Sequence, residues 1–299
     1  MKKKISKYLI PEKIKKVEKF PIQVRSLVEG FITGLHKSPS HGFNVEFKEH
    51  KQYYPGDDIK YLDWRVFAKT DKYYIKRYEE ESNLFVNLIL DCSLSMNYKS
   101  EFSLKTKYEY SKFLTGAILY LATIQGDSAG VTLFSHNIIK SYTPHNNFSY
   151  INEILLTLEK LNAKGKSKFK ENFIKIAGSI KHKSLIIIIS DFLGNIEDII
   201  NGIKYLKGNK NEIILFVIND KKEKEFSFKG NIKFIDIENR EEILINASSI
   251  RDDYLKIFNK HYSLLKNFAV KSGIDYFSFT TDLDYSELLY KYLIWRNSL

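Results

Sequence analysis

The chain has 299 residues, 43% of them hydrophobic, and a formal net charge of +11 at pH 7. These values exclude a disordered chain and indicate one large domain with a buried core plus a smaller region. Most of the 47 basic residues are scattered lysines, and few are the arginines that favour paired hydrogen bonds to phosphates and bases, so we expect no specific nucleic-acid partner. Cys92 is the only cysteine, which excludes an intrachain disulfide and fits a cytoplasmic protein.

The hydropathy pattern predicts neither a signal peptide nor a membrane span. The first apolar stretch is only three residues long and ends at Pro11, far short of the apolar segment of a signal peptide. The longest strongly apolar stretch, residues 113–124, is also shorter than the ~20 residues that a bilayer span needs.

Residues 1–82 carry mixed helical and strand patterns, and we predict that they form a smaller N-terminal region. Apolar residues recur at helical spacing over residues 14–34, and Pro21 interrupts them, so two short helices are predicted. Alternating apolar and polar residues predict half-buried strands at residues 43–50 and 73–81, with a turn-rich block between them.

From residue 83 to residue 299 the pattern changes to strands that alternate with helices. Continuous apolar runs at residues 84–90, 185–189 and 213–218 are typical of parallel strands covered by helices on both faces. We therefore predict an α/β domain with a doubly wound, mostly parallel sheet of the Rossmann type. Helical periodicity is found at residues 104–124, 148–161, 169–180, 196–206, 250–270 and 285–295.

Two shorter segments add to this pattern. Residues 131–134 and 138–142 are apolar runs separated by Ser-His-Asn, and they predict a hairpin at one edge of the sheet. The segment KKEKEF, residues 221–226, predicts a short charged loop.

Asp91, Ser93 and Ser95 directly follow the first of the buried runs. Open α/β sheets bind their ligands at the carboxyl ends of the strands, which is where these side chains fall. In a loop that curls around one point, alternate residues can turn a carboxylate and two hydroxyls toward the same cation. Hard oxygen ligands of this kind suit Mg²⁺ or Mn²⁺, so the sequence predicts a site for one divalent cation.

Three ligands leave an octahedral ion incomplete, so further oxygens are expected from neighbouring loops. Asp191 ends another buried run, and a strand adjacent in the sheet would bring its carboxylate to the same crevice. Ser167 lies in a glycine-containing loop just before a predicted helix. It is either a further ligand or the N-cap of that helix, and local sequence does not decide between the two.

Asp91-x-Ser93-x-Ser95, followed later by the pair Ser190-Asp191, resembles the metal-ion-dependent adhesion site (MIDAS) of von Willebrand factor A domains. In that family a threonine from a middle loop usually completes the site, and Ser167 stands at the matching position. The resemblance implies that one coordination position stays open for an acidic side chain of a protein partner. It therefore implies a binding module and not an enzyme.

The turn-rich block before the first buried strand narrows the resemblance. It is similar to the short, soluble form of the bacterial family called domain of unknown function 58, in which such a block joins a von Willebrand A-like domain directly. These proteins are often encoded beside AAA+ ATPases of the MoxR type, so the resemblance implies an ATPase-linked role in assembling or maturing other proteins. Its GDD and DWR signatures contain Gly56, Asp57, Asp58, Asp63, Trp64 and Arg65.

The same block allows other hypotheses. Its charged residues and indole either fasten a turn to the main domain or form a surface that binds a partner. Glu46, Asp57, Asp58 and Asp63 are also the residue types of a metal-dependent nuclease, although their spacing matches no known nuclease pattern. The net charge of the chain allows one further hypothesis, non-specific nucleic-acid binding. Binding of that kind would weaken steeply as salt is added.

Overall fold

The computed structural model describes residues 20–36, 50–52, 74–76, 84–235 and 242–296. The chain divides into two compact units, one of Met1–Leu9 with Glu29–Asn83 and the other of Ile10–Val28 with Leu84–Leu299. The strands are β1 (His50–Gln52), β2 (Tyr74–Lys76), β3 (Phe85–Asp91), β4 (Ser128–Phe134), β5 (Ile138–His145), β6 (Leu185–Ser190), β7 (Glu212–Asn219), β8 (Asn231–Ile235), β9 (Glu242–Asn246) and β10 (Asp275–Thr280). The α-helices are α1 (Phe20–His36), α2 (Lys107–Ile124), α3 (Phe148–Lys160), α4 (Phe169–Ser179), α5 (Ile196–Leu206), α6 (Lys221–Glu225), α7 (Ala247–Lys271) and α8 (Tyr285–Arg296).

The described strands of the smaller unit are β1 and β2, which pair antiparallel with Lys51 opposite Ile75. Strand β2 falls within the predicted strand at residues 73–81, whereas β1 shares only His50 with the predicted strand at residues 43–50. The GDD and DWR signatures lie between β1 and β2, outside the described residues.

A six-stranded sheet with the order β10-β7-β6-β3-β4-β5 forms the larger unit. Strands β10, β7, β6, β3 and β4 run parallel, and β5 pairs antiparallel with β4 at the edge. This order confirms the predicted doubly wound sheet and the predicted edge hairpin. β3 is the first strand of this sheet in chain order, and it lies between β6 and β4. The strand order therefore reverses beside β3, and open α/β sheets form their ligand crevice at such a reversal.

Helices cover both faces of this sheet, because its central strands are apolar on both sides. In β6, Ile186 and Ile188 belong to a core with Phe173 of α4, Ile203 of α5 and Leu265 of α7. The alternate residues of the strand turn to the opposite face, where α2 packs on β3, β4 and β6. All six residues of β6 are buried, as a continuous apolar run in a parallel sheet requires.

Of two local predictions, one is tested only in part and the other is wrong. The helix α1 (Phe20–His36) covers the second of the two helices predicted over residues 14–34, and Pro21 lies in its first turn, where its missing N–H breaks no helical hydrogen bond. The helix predicted before Pro21 falls mainly on residues 14–19, which lie outside the described residues. The KKEKEF segment contains the helix α6, because Asp220 and Glu223 form a capping box that satisfies the first backbone N–H groups. The sequence patterns also missed the edge strand β10 and the β8–β9 hairpin. Among the described helices none has the length and apolar character to cross a membrane.

Candidate metal centre

The Asp91 carboxylate is fully buried at the carboxyl end of β3. Its Oδ1 accepts a hydrogen bond of 2.6 Å from the Ser167 hydroxyl and one of 2.9 Å from the Ser93 N–H. Its Oδ2 accepts a 2.6 Å bond from the Ser190 hydroxyl. All of these donors are neutral, so none of them compensates a negative charge on the carboxylate.

The loop after β3 holds its two serines on the same side of the chain. Residues Leu94–Asn97 form a single 3-10 turn, and the Met96 N–H donates to the Ser93 carbonyl at 3.2 Å. This turn brings the Oγ atoms of Ser93 and Ser95 to 3.0 Å from each other. The predicted convergence of alternate oxygen side chains in this loop is therefore present in the structure.

A second loop, between α3 and α4, packs directly on the first. The Lys164 N–H donates to the Cys92 carbonyl and the Leu94 N–H donates to the Gly165 carbonyl, both at 2.8 Å. Gly165 has a φ of +73°, a left-handed backbone conformation that glycine adopts without strain. These contacts position Ser167 over Asp91. The N-cap of α4 is Lys168, so the alternative in which Ser167 caps the helix is wrong.

Asp191 follows β6, which pairs parallel with β3 so that Leu90 lies opposite Ile189. Its carboxylate is fully buried and both of its oxygens are engaged. Oδ1 accepts from the Leu193 N–H at 3.1 Å, and Oδ2 accepts from the Lys107 ammonium at 2.9 Å. Asp91 and Asp191 thus stand at the same end of neighbouring strands, as predicted, but among the described residues only Asp191 has a cationic partner.

The backbone after Asp191 is strained. Phe192 is buried with a φ of +53°, which is uncommon for a residue with a bulky side chain. The Phe192 N–H donates to Ser190 Oγ at 2.8 Å, and His261 Nε2 lies 2.8 Å from the Phe192 carbonyl oxygen. The Tyr262 hydroxyl lies 2.8 Å from the Asp191 carbonyl oxygen. These contacts hold the strained turn in place, and strain of this kind is found most often at functional sites.

The electrostatics of the two carboxylates differ. Burial, followed by repulsion from Asp191, raises the pKa of Asp91 from 3.8 to about 6, although the hydrogen bonds from three serines lower it. Burial alone would lower the pKa of Lys107, but the charges of Asp191 and Glu223 raise it above the ordinary value for lysine. Lys107 is therefore charged at neutral pH and compensates Asp191. No ammonium or guanidinium group of the described residues pairs with Asp91.

The side chains around Asp91 are those that a small, hard cation prefers. Three hydroxyls (Ser93, Ser95 and Ser167) and one carboxylate supply oxygen, the ligand type of Mg²⁺ and Mn²⁺. Burial raises the pKa of the neighbouring Cys92 to about 12, so the thiol stays protonated and is a poor ligand. In the described part of the chain, no three or more His, Cys, Asp or Glu side chains are placed so that they could hold a metal ion together, so an ion here would depend on the hydroxyls.

Sequence patterns missed three residues that shape this site. Ser190 was noted only as the neighbour of Asp191, yet its hydroxyl contacts Asp91 directly. Lys107 and Glu223 carried no local signal, because the contacts of Lys107 join positions 84 and 116 residues apart. The residues Gly56, Asp57, Asp58, Asp63, Trp64 and Arg65 lie outside the described part of the chain, as does Glu46.

The sequence of the chain matches the model of a known protein family. The model of the family described as "Protein of unknown function DUF58" matches residues 49–263 of the chain. A curated relative, the uncharacterized protein Rv1480 of Mycobacterium tuberculosis, is 21% identical over 271 residues, which are 88% of this chain and 83% of the relative.

Two solved structures are similar to a large part of this chain. The conserved hypothetical protein BatB from Bacteroides thetaiotaomicron has 11% identity and a TM-score of 0.48, covering 72% of this chain and 100% of that chain. The von Willebrand factor A domain of SpRpn10 has 14% identity and a TM-score of 0.41, covering 69% of this chain and 94% of that chain. Both TM-scores are below 0.5, so the fold class rests on the strand order described above.

Proposed function

The chain belongs to the DUF58 family, as its sequence predicted, and from this membership and the site geometry we propose that it is a metal-dependent protein-interaction module. In this proposal, one Mg²⁺ or Mn²⁺ ion binds at Asp91, Ser93, Ser95 and Ser167, with Asp191 beside it. The ion keeps one coordination position for an acidic side chain of a protein partner. The chain itself performs no reaction.

The uncompensated charge of Asp91 is the observation that carries this proposal. A buried carboxylate without a cation is costly, because neutral hydrogen-bond donors replace only part of its lost hydration. A divalent cation at this position would remove that cost. The serine hydroxyls, which now donate to Asp91 or lie beside it, also have lone pairs that can turn toward an ion.

The surface beside Ser167 favours an acidic partner. Lys164, Lys166 and Lys168 lie in the loop that positions Ser167, and all three side chains are exposed. We call these three residues the lysine rim. No carboxylate of the described residues forms an ion pair with Lys164 or Lys168, so their charges are available to a partner. A positive rim around a bound cation attracts acidic segments and disfavours basic ones.

We further propose a MoxR-type AAA+ ATPase as the partner in the cell, with a role in assembling or maturing other proteins. The support for this step is the family resemblance alone. A pull-down from the native lysate in Mg²⁺, with wild type compared with Asp91→Ala, is the test. An ATPase of this class should be retained by the wild type and lost from the variant, and its equal recovery with both proteins would contradict a metal-dependent contact.

Titration calorimetry with Mn²⁺ and with Mg²⁺ tests the metal site itself. We expect the wild type to bind one ion with an affinity in the micromolar to millimolar range, and Asp91→Ala to bind none while remaining folded by circular dichroism. Asp253→Ala is the matched control, since it removes an exposed carboxylate of α7 and should bind as the wild type does. Equal ion uptake by Asp91→Ala and wild type would refute the site.

The partner chemistry can be tested with a fluorescein-labelled peptide containing four glutamates, compared with the same peptide containing four glutamines. With Mg²⁺ present, we expect fluorescence anisotropy to rise on titration with wild type for the glutamate peptide only. Chelation with EDTA should abolish the rise. The nuclease hypothesis depends on residues outside the described part of the chain, and no observation on the described residues favours it.

A further inference from the structure

Lys107 occupies a position that a lysine ordinarily avoids. It is the first residue of α2, directly after the N-cap Thr106, and its side chain is fully buried. A helix N-terminus carries partial positive charge, so a cation there is unfavourable, and burial of the ammonium adds a further cost. Helix propensity and core packing therefore do not explain why a lysine is buried at this position. The explanation lies in the contacts of its ammonium group.

Those contacts join two other loops at the same edge of the sheet. The Lys107 ammonium donates to Asp191 Oδ2 after β6 at 2.9 Å and lies 2.9 Å from Glu223 Oε2 in α6, after β7. Glu223 Oε2 also accepts from the Asp220 N–H at 3.1 Å, which fixes its side chain within the capping box of α6. Lys107 is thus held by two carboxylates that are themselves held in place.

Resting on the proposed function, we propose that Lys107 is a built-in counter-cation that keeps Asp191 out of the inner coordination shell of the metal ion. One oxygen of Asp191 is bonded to the Lys107 ammonium and the other to the Leu193 N–H, so its charge is already compensated, whereas the hydrogen-bond donors to Asp91 are all neutral. Among the described residues, Asp91 would then be the only charged ligand of the ion.

This arrangement has a consequence for the partner. A divalent ion bound to one carboxylate keeps one net positive charge, whereas an ion bound to two carboxylates keeps none. Lys107 thus lowers the affinity of the protein for the ion. The bound ion keeps more positive charge and attracts an acidic side chain of the partner more strongly. Lys107 is a positioning residue, because it acts through Asp191 and does not touch the ion.

The test compares Lys107→Met with wild type in two assays. We expect calorimetry to show Mn²⁺ binding about tenfold tighter, because Asp191 is freed to join the ion, and anisotropy to show the glutamate peptide binding about tenfold more weakly to the Mn²⁺-saturated variant. A residue with a merely structural role would not give these opposite signs, since its loss would weaken both interactions.

Two further variants make the result specific. Lys107→Met combined with Glu223→Gln removes one charge of each sign, so the local net charge is unchanged while Asp191 still loses its ammonium partner. This double variant should also bind Mn²⁺ more tightly and the glutamate peptide more weakly, even where the single variant folds poorly. Lys222→Met removes a nearby cation that pairs with the exposed Glu101, and it should leave Mn²⁺ affinity within about twofold of wild type.

The outcomes separate this inference from the proposed function. Wild type that binds no metal would refute the proposed function first. Wild type that binds metal, with equal or weaker Mn²⁺ binding in both Lys107 variants, would overturn the role of Lys107 alone. Tighter Mn²⁺ binding together with unchanged or tighter peptide binding would overturn the claim that Lys107 preserves the charge of the ion.

Discussion

The Ser167 hydroxyl donates a 2.6 Å hydrogen bond to Asp91 Oδ1, joining two loops that are 76 positions apart in the chain. Ser167 stands on a loop that backbone hydrogen bonds fasten to Cys92 and Leu94, on either side of Ser93. Contacts within the protein therefore hold the oxygen side chains of the two loops in position. A pre-formed set of ligands lowers the entropic cost of binding.

The first prediction concerns Ser167. We expect Ser167→Ala to weaken Mn²⁺ binding about tenfold, because it removes one oxygen ligand, and Ser167→Thr to retain it, because the hydroxyl is kept. Calorimetry on the three proteins measures the difference. Ser179→Ala, at the far end of α4, is the control and should bind as wild type does. Unchanged affinity in Ser167→Ala would remove this residue from the site.

Asp91→Asn should abolish Mn²⁺ binding and stabilise the metal-free protein. Because burial and Asp191 raise the pKa of Asp91 from 3.8 to about 6, the charged form destabilises the folded state at neutral pH by ~2–3 kcal/mol. Urea denaturation in EDTA at pH 7 should show a gain of this order in the free energy of unfolding. A loss of stability in Asp91→Asn would show that the charge is compensated in the folded protein.

The pH dependence of that difference has a definite sign. The folded pKa of Asp91 is higher than its unfolded value, so the stability from this group is fully present below pH ~4 and is lost as the pH rises through about 6. We expect the advantage of Asp91→Asn to disappear at pH 4 and to be complete near pH 7. The same urea series, run in EDTA across this range, measures it. An advantage that stays constant with pH would contradict the assignment.

Ser190 links the carboxylate of Asp91 to the strained backbone of Phe192. Its hydroxyl donates to Asp91 Oδ2 and accepts from the Phe192 N–H. We expect Ser190→Ala to lower the free energy of unfolding by about 2 kcal/mol, since a buried N–H loses its acceptor. Urea denaturation measures the loss. The control is Ser184→Ala, at the opposite end of β6, which should cost less because its hydroxyl contacts only the His182 carbonyl.

The lysine rim should contribute to partner binding through charge. We expect Lys164→Gln with Lys168→Gln to weaken binding of the glutamate peptide about three- to tenfold at low salt, with the difference decreasing as salt is added. Lys181→Gln with Lys271→Gln has the same net charge but changes lysines that precede β6 and β10, at the other end of the sheet. Equal losses in the two double variants would indicate that only overall charge matters.

Most of the larger unit could be predicted from the sequence, because its signals are local. Continuous apolar runs gave the parallel strands β3, β6 and β7, and helical periodicity gave the helices on both faces. The edge strand β10 was missed because its sequence, DYFSFT, is short and half-exposed, so it carries no continuous apolar run. The helix α6 was missed because a charged hexapeptide reads as a loop unless the capping partners Asp220 and Glu223 are recognised.

The sequence by itself determined the doubly wound fold class and the candidate oxygen ligands at the end of β3. Both signals are local, because the hydrophobic periodicity and a motif of five residues each depend only on residues that are close together in the chain. Only the tertiary structure decided which of two adjacent carboxylates has a cationic partner among the described residues. Lys107 reaches Asp191 and not Asp91 because α2 begins beside the loop after β6, and a choice between two buried partners depends on distances that no local pattern contains.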